Sequence, residues 1–504
     1  MATQYSDVLI IGAGLSGIGA ACHIRRELPD KSFVILERRQ AIGGTWDLFR
    51  YPGIRSDSDM YTLGYNFKAW SNPQAIADGP AIREYIRETA SEYHVEEHIR
   101  FGNYVKRAYW DSSQATWTVE ALDEQSGEVK RYCCRFLLCC SGYYNYDGGY
   151  QPEFPGQDQF AGQIIHPQKW PEDLDYTGKK VVVIGSGATA VTLVPAMADK
   201  VEHITMLQRS PTYILSLPRE DAVSNFLRRF LPEKMVYRLA RTRNIFLSLL
   251  LYKLSRAFPQ GMANFIRKQA LKQTGAGVDA KHFSPYYKPW DERLCIAPDG
   301  DLFEALRGGN ASIVTDQVEC LTDTGIRLKS GAELEADIVV TATGLAIQPL
   351  GGAELYLDGK PFDITRKLCY KGVMLQDMPN LGLVFGYTNA SWTLKADIVT
   401  EYLLRVIRHM DQLGVRQCMP RNSDDSVEFR PFLDMTSGYV QRAEGTIPHQ
   451  GSKAPWKLHQ NYALDLMMLR YGKLEDGVLS FSNPVGETFH TAPSSVVADS
   501  GISK

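Results

Sequence analysis

The nine cysteines of this 504-residue chain include no C-x-x-C pair, the spacing that a redox dithiol or a zinc knuckle needs. Dithiol exchange and a structural zinc are thereby excluded. Cys133-Cys134 and Cys139-Cys140 flank the apolar run Arg135-Phe136-Leu137-Leu138, which reads as a buried strand carrying small core thiols. No apolar stretch approaches the ~20 residues of a membrane span. No basic segment followed by an apolar one opens the chain, and a strand begins by Asp7, so a cytoplasmic protein is the expectation. An excess of one charge is also lacking. Lys and Arg number 55 against 58 Asp and Glu, a formal net of −3, so no whole-chain field draws nucleic acid.

What is present suits a folded chain of about three domains, with 44% hydrophobic and 22% charged residues. Asp7-Val8-Leu9-Ile10-Ile11 is a short apolar run, followed at once by Gly12-Ala13-Gly14-Leu15-Ser16-Gly17 and then by small apolar residues at helical spacing. Strand, glycine turn and helix form the context in which G-x-G-x-x-G binds a dinucleotide. Gly12, Gly14 and Gly17 permit the turn and let the backbone approach a pyrophosphate, whose charge the helix N-terminus favours. The next strand, Phe33-Val34-Ile35-Leu36, ends in Glu37. A carboxylate there accepts ribose hydroxyls and repels a 2′-phosphate. The first site is one for FAD or NAD, not NADP.

Lys180-Val181-Val182-Val183-Ile184 leads into Gly185-Ser186-Gly187-Ala188-Thr189-Ala190, the same device with Ala where only close helix packing is required. The following strand ends in Arg209, in the place of the carboxylate, with Ser210 and Thr212 beside it. A guanidinium fork pairs with phosphate, so this second site reads as one for NADPH. Two different dinucleotides on one chain mean that electrons pass from NADPH to a flavin.

Two further segments carry a pattern. Phe160, Gly162, His166, Trp170 and Pro171 fit F-x-G-x-x-x-H-x-x-x-W-P, and Gly43 through Asp57 fit G-G-x-W-x-x-x-x-Y-P-G-x-x-x-D. On these motifs the chain resembles the Baeyer–Villiger monooxygenases. Over Gly43–Thr62, Gly185–Val194, Pro289–Cys295 and Gly386–Asp397 it is similar to their ethionamide-activating branch. The resemblance runs to about Phe481, and the Ser- and Ala-rich tail beyond it is expected to be poorly ordered. Flavin-containing monooxygenases share the two-site plan but typically lack the pair that Trp170 and Pro171 form here.

The resemblance implies an α/β fold of two Rossmann-like dinucleotide-binding domains, for FAD and NADP, with a helical insert. It implies conversion of ketones to esters or lactones with NADPH and O2, through a C4a-peroxide on the flavin, with sulfoxidation or thioamide oxidation beside it. A flavin-containing monooxygenase acting mainly on sulfur or nitrogen is the alternative. In the family an arginine holds positive charge beside the peroxide. The matching stretch Pro289-Trp290-Asp291-Glu292-Arg293-Leu294-Cys295 gives that part to Arg293, with Asp57 as its partner. A plain salt bridge from Arg293 to Asp291 or Glu292 is the competing reading. Gly44, Thr45 and Trp46 belong to the loop along the flavin. Trp456 resembles a C-terminal tryptophan that packs on the nicotinamide nucleotide, with a core position as its rival. His166 reads as a hydrogen-bonded hinge. Ser391 or Thr393 is expected to cap the helix that Asn389–Leu394 opens, and Ala336–Gly344 is a strand ending in an A-T-G turn.

The expected layout is an FAD domain in two pieces, 1–150 and 350–504, an NADP domain at 151–220 and 283–349, and a helical insert at 221–282. Between Phe226 and Lys272 the insert has eleven basic residues and one acid, Glu233. Its apolar run Ile245–Tyr252 is too short to span a bilayer. Cations around an apolar surface suit a peripheral, membrane-touching helix, and a cap packed on its own enzyme accounts for the same pattern. No second charged cluster stands near the predicted flavin, so the pocket is expected to be apolar and to take hydrophobic ketones or sulfides.

Overall fold

Two sheets organise the chain, and each is built around the strand that leads into a glycine fingerprint. The computed structural model describes residues 4–275, 277–433 and 435–484; from residue 485 on, the tail lies outside them. Strand Gln4–Ile11 runs parallel to Phe33–Leu36 on one side and to Val129–Cys139 on the other. Val8 to Ile11 are buried without alternation, as expected of a parallel strand covered on both faces. Val129–Cys139 continues antiparallel into Thr116–Asp123 and Asn103–Asp111. Later segments return to the same sheet: Leu381–Leu383 pairs with Val129–Cys139, and Glu354–Leu357 pairs with Asn103–Asp111. The four cysteines at 133, 134, 139 and 140 are free thiols on or just after this central strand.

The second sheet has five strands, all parallel, in the spatial order Ala311–Thr315, His203–Gln208, Lys180–Ile184, Ile338–Thr341, Gln163–Ile165. The fingerprint strand Lys180–Ile184 is at its centre. His166 follows the edge strand and is buried; its Nδ1 accepts the Gln168 amide at 3.2 Å and its Nε2 lies 3.4 Å from the Gly344 carbonyl. Burial pushes its pKa below the ordinary value, so a neutral ring donates to that carbonyl and ties the connector to the A-T-G turn.

The insert is helical at Ala222–Leu227, Glu233–Ala257 and Pro259–Thr274. Arg241 anchors it from within: its guanidinium donates to the carbonyls of Tyr61 and Gly64 at 2.8 and 2.7 Å and to Asp397 at 3.2 Å. Asp397 sits on the long helix Trp392–Leu413, beside the first fingerprint helix, where it also meets His23 Nε2 at 3.3 Å. One buried carboxylate therefore joins the insert to the first dinucleotide domain. Among the described residues no helix is long and apolar enough to cross a membrane, and no His, Cys, Asp and Glu cluster could hold a metal ion.

Candidate functional site

At the carboxyl ends of Gln4–Ile11 and Phe33–Leu36 lies a cavity, where ligands bind on an open α/β sheet. Gly12, Gly14, Glu37, Gly44, Thr45, Trp46, Asp57 and Arg293 all line it. Gly17 lies behind: a Cβ there would stand 1.8 Å from the Gly12 carbonyl oxygen, so only glycine lets helix and turn close. Gly44, at φ +56°, brings the second loop onto the first, its would-be Cβ 2.9 Å from Gly14 Cα. Glu37 is buried and accepts the amides of Ala13 at 2.6 Å and Arg39 at 2.7 Å. Burial raises its pKa and those two amides pull it back.

Helix Leu15–Glu27 starts at Gly14 without a side-chain cap, leaving first-turn amides for an anion. Helix Trp392–Leu413 is likewise uncapped, which corrects the capping role expected of Ser391 or Thr393. Ser391 instead pairs with the Thr62 hydroxyl at 2.6 Å, and Thr393 donates to the Leu63 carbonyl. Both hydroxyls are drawn into the junction with the segment after Asp57. Trp392 lines the cavity, donates to Ser16 Oγ at 2.7 Å and stacks on Tyr143 with ring centroids 5.4 Å apart. Tyr143, Tyr144 and Tyr146, which sequence reasoning missed, complete an aromatic wall. Their signal was the tyrosine cluster just after Val129–Cys139, at the mouth of the sheet.

Arg293 sits deep in the protein yet exposes its side chain to this cavity. No hydrogen bond or ion pair ties its guanidinium among the described residues. The competing salt bridge to Asp291 is absent because Asp291 pairs with Arg256 at 2.6 Å. Burial alone would weaken the charge of Arg293, but Tyr143, Tyr144, Tyr439 and Asp57 raise its pKa above the ordinary value. Asp57 shares the cavity and the field of Arg293 without direct ion-pair contact; burial raises its pKa, and Arg293 and Arg55 pull it back. The arrangement is an unneutralised cation over the space in front of the aromatic wall.

Beyond Arg293 the space continues into a second cavity, where Glu292, Arg430, Lys457 and His459 stand among Tyr252, Trp290, Met435 and Leu458. The expected apolar pocket is corrected here: its wall is mixed. The charged residues come from segments 292 and 430–459, too far apart in the chain for their proximity to show in sequence. The indole N–H of Trp290 has no partner among the described residues.

The second fingerprint has the same design. Helix Ala188–Met197 starts at Gly187 with no side-chain cap, and a Cβ at Gly187 would meet nothing within 4 Å. Gly185 closes the turn against the backbone of Ala342, and Ala190 is fully buried. Gly53 packs on this helix, where its would-be Cβ lies 2.6 Å from Ala196 Cβ, so the Gly43–Asp57 loop reaches from the first cavity to the second fingerprint. Arg209 is exposed at the end of His203–Gln208 and has no ion pair among the described residues. It lies within electrostatic reach of Glu292 and of Arg442. Arg442, also missed from sequence, lies over the Tyr150 ring at 3.7 Å, and the Tyr150 amide donates to the Gly344 carbonyl at 2.9 Å. Burial and the like charge of Arg209 push the Arg442 pKa down. Two guanidiniums thus share the carboxyl end of the parallel sheet, the general place for a dinucleotide.

Trp456 takes the other of its two readings. It is 2% exposed, edge-on to Tyr370 at 5.8 Å and tucked against Gly451, so no face of its ring is open to a nucleotide.

Residues 71–348 match the flavin-binding monooxygenase-like family, and residues 10–88 match the NAD(P)-binding Rossmann-like domain. The FAD-containing monooxygenase EthA of Mycolicibacterium smegmatis is 52% identical over 482 residues, 95% of this chain and 98% of the relative. Two solved structures share the fold with a TM-score of 0.74 at 21% identity, covering 95% of this chain and all of theirs: an oxidized steroid monooxygenase bound to NADP and an open cyclohexanone monooxygenase.

Proposed function

The chain belongs to the flavin-binding monooxygenase-like family, as an FAD-containing, NADPH-dependent enzyme, and from that premise we propose that it converts ketones to esters or lactones with O2. One observation carries this reading: among the described residues nothing pairs with the guanidinium of Arg293, which stands in the cavity that the first fingerprint opens. Bound there, FAD reduced by NADPH would supply the two-electron activation of O2.

The residues divide the remaining work. The amides at Gly12 and Gly14 and the helix they open would hold the FAD pyrophosphate, and Glu37 its ribose. Gly44, Thr45 and Trp46 line the same cavity and would hold the rest of the flavin. Gly185, Gly187, Ala188 and Thr189 would cradle NADPH, with Arg209 and Arg442 on its phosphate. Oxygen attack on a carbonyl concentrates negative charge at oxygen, and a preorganised cation in a closed site stabilises that charge without reorganising. Arg293 stands in that cavity to supply the charge, and the field of Asp57 moderates it. The unpartnered Trp290 N–H offers a donor to an acceptor in the adjoining space. Oxidation of a neutral sulfide builds no such anion on the substrate, so the free cation favours ketones over the sulfur- and nitrogen-oxygenating alternative. The domain division follows the fingerprints: 1–150 with 350–504 for FAD, 151–220 with 283–349 for NADP, and 221–282 as insert.

With 2-decanone and a thioether supplied together under NADPH and air, ester is the expected product, with sulfoxide as a side product. Sulfoxide without ester at any pH would assign the protein to sulfur or nitrogen oxygenation. Coenzyme choice offers a second test. A charge-assisted hydrogen bond is worth about 1.5–3 kcal/mol, so Arg209→Ala should raise the KM for NADPH about tenfold to a hundredfold and leave that for NADH little changed. Arg442→Ala should act in the same direction. Equal damage with both coenzymes would show that neither arginine reads the 2′-phosphate.

A further inference from the structure

The helical insert has two functions to satisfy, and the site described above uses only one of its faces. Inward, helix Glu233–Ala257 packs Val236, Tyr237 and Ala240 into the protein, and its Tyr252 lines the cavity next to Arg293. Outward, it leaves Leu239, Phe246 and Leu250 exposed, with Phe226, Phe230 and Phe258 on the flanking segments; Phe246 is 64% exposed and Phe230 70%. Of the twenty-one large apolar side chains exposed among the described residues, eleven fall between Val223 and Phe265. This is concentration, not the scattered exposure normal for a surface. On a helical projection Leu239, Phe246 and Leu250 fall within about 60° of one another, so they form one stripe.

The exposed surface of the insert around the stripe is cationic as well. Arg229, Lys234, Arg238, Lys253, Lys268 and Lys272 are exposed and have no carboxylate partner among the described residues. Glu233 is the sole acid between Ala222 and Val278. Charge decides what covers the stripe. A second copy docked face to face would set this cationic patch against itself, because a two-fold contact joins identical surfaces. An anionic lipid surface accepts both features at once: apolar side chains enter the acyl boundary while Lys and Arg meet the headgroups.

We propose that the insert docks the enzyme peripherally on anionic bilayers through this stripe. The docking concerns where the enzyme works and does not depend on which atom it oxygenates, so its test reads binding without turnover.

The FAD-loaded full-length protein is mixed with vesicles of equimolar phosphatidylglycerol and phosphatidylcholine, or of phosphatidylcholine alone, and the two are separated by sedimentation. Partitioning to the anionic vesicles should be tighter by about tenfold or more, and high salt should weaken it. Phe246→Gln/Leu250→Gln should cut partitioning about tenfold on both compositions, and Lys234→Gln/Arg238→Gln should cut it only on the anionic one. Each variant should keep its flavin absorbance and its reduction by NADPH, which shows that it is folded. Equal, weak partitioning to both vesicle types would overturn the proposal. So would a dimer in solution that Phe246→Gln/Leu250→Gln converts to monomer, since a second copy would then cover the stripe.

Discussion

Arg293→Ala should yield a yellow protein that NADPH still reduces but that makes ester from a ketone at least about a hundredfold to a thousandfold more slowly. Removing one preorganised donor from an anion-stabilising site costs about 2.7–4 kcal/mol, and a full guanidinium contributes no less. The side chain has no ion pair or hydrogen bond among the described residues, so its loss orphans no buried partner that the fold depends on. Asp57 retains the field of Arg55. Arg293→Lys keeps a charge without the planar fork and should fall between the two. Anaerobic bleaching of the flavin follows the reductive half of the reaction, and chromatography of the ester follows the oxidative half. An Arg293→Ala enzyme forming ester near the wild-type rate would remove Arg293 from the assignment.

Glu37→Ala should be largely colourless as purified. Its carboxylate accepts two buried backbone amides, those of Ala13 and Arg39, and lines the cavity where a ribose would lie. Alanine leaves those donors without an acceptor, at about 1–3 kcal/mol each, and loosens the turn that carries Gly12 and Gly14. FAD affinity should fall by about a hundredfold or more, together with thermal stability. Glu37→Gln retains one acceptor oxygen and should recover part of both. The ratio of flavin to protein absorbance, before and after incubation with excess FAD, measures this. A Glu37→Ala protein as yellow as the wild type would place the FAD elsewhere.

Both fingerprint turns were legible in the sequence because strand, glycine turn and helix are local: Gly12 to Gly17 and Gly185 to Ala190 each specify their own geometry within a few residues. The acidic or basic residue ending the next strand is nearly as local, since a parallel crossover returns it to the same sheet edge. Arg442, Arg430 and Lys457 were invisible, because nothing near them in the chain says that segment 429–460 folds over the cavity beside Arg293. Trp456 shows the limit of carrying a position over by resemblance: the ring is there, but Tyr370 and Gly451 hold it in the core. The insert was legible in charge and not in orientation. Both faces of Glu233–Ala257 carry apolar residues, and only the structure distinguishes buried Val236 and Tyr237 from exposed Leu239 and Phe246.

Supplying isotopically labelled O2 to the enzyme with NADPH and 2-decanone, and locating the label by mass spectrometry, tests ketone oxygenation most directly. Insertion beside the carbonyl predicts one labelled atom in the bridging position of the ester for each NADPH consumed in coupled turnover. NADPH oxidised with the ketone intact, and the label found only in hydrogen peroxide and water, would contradict it.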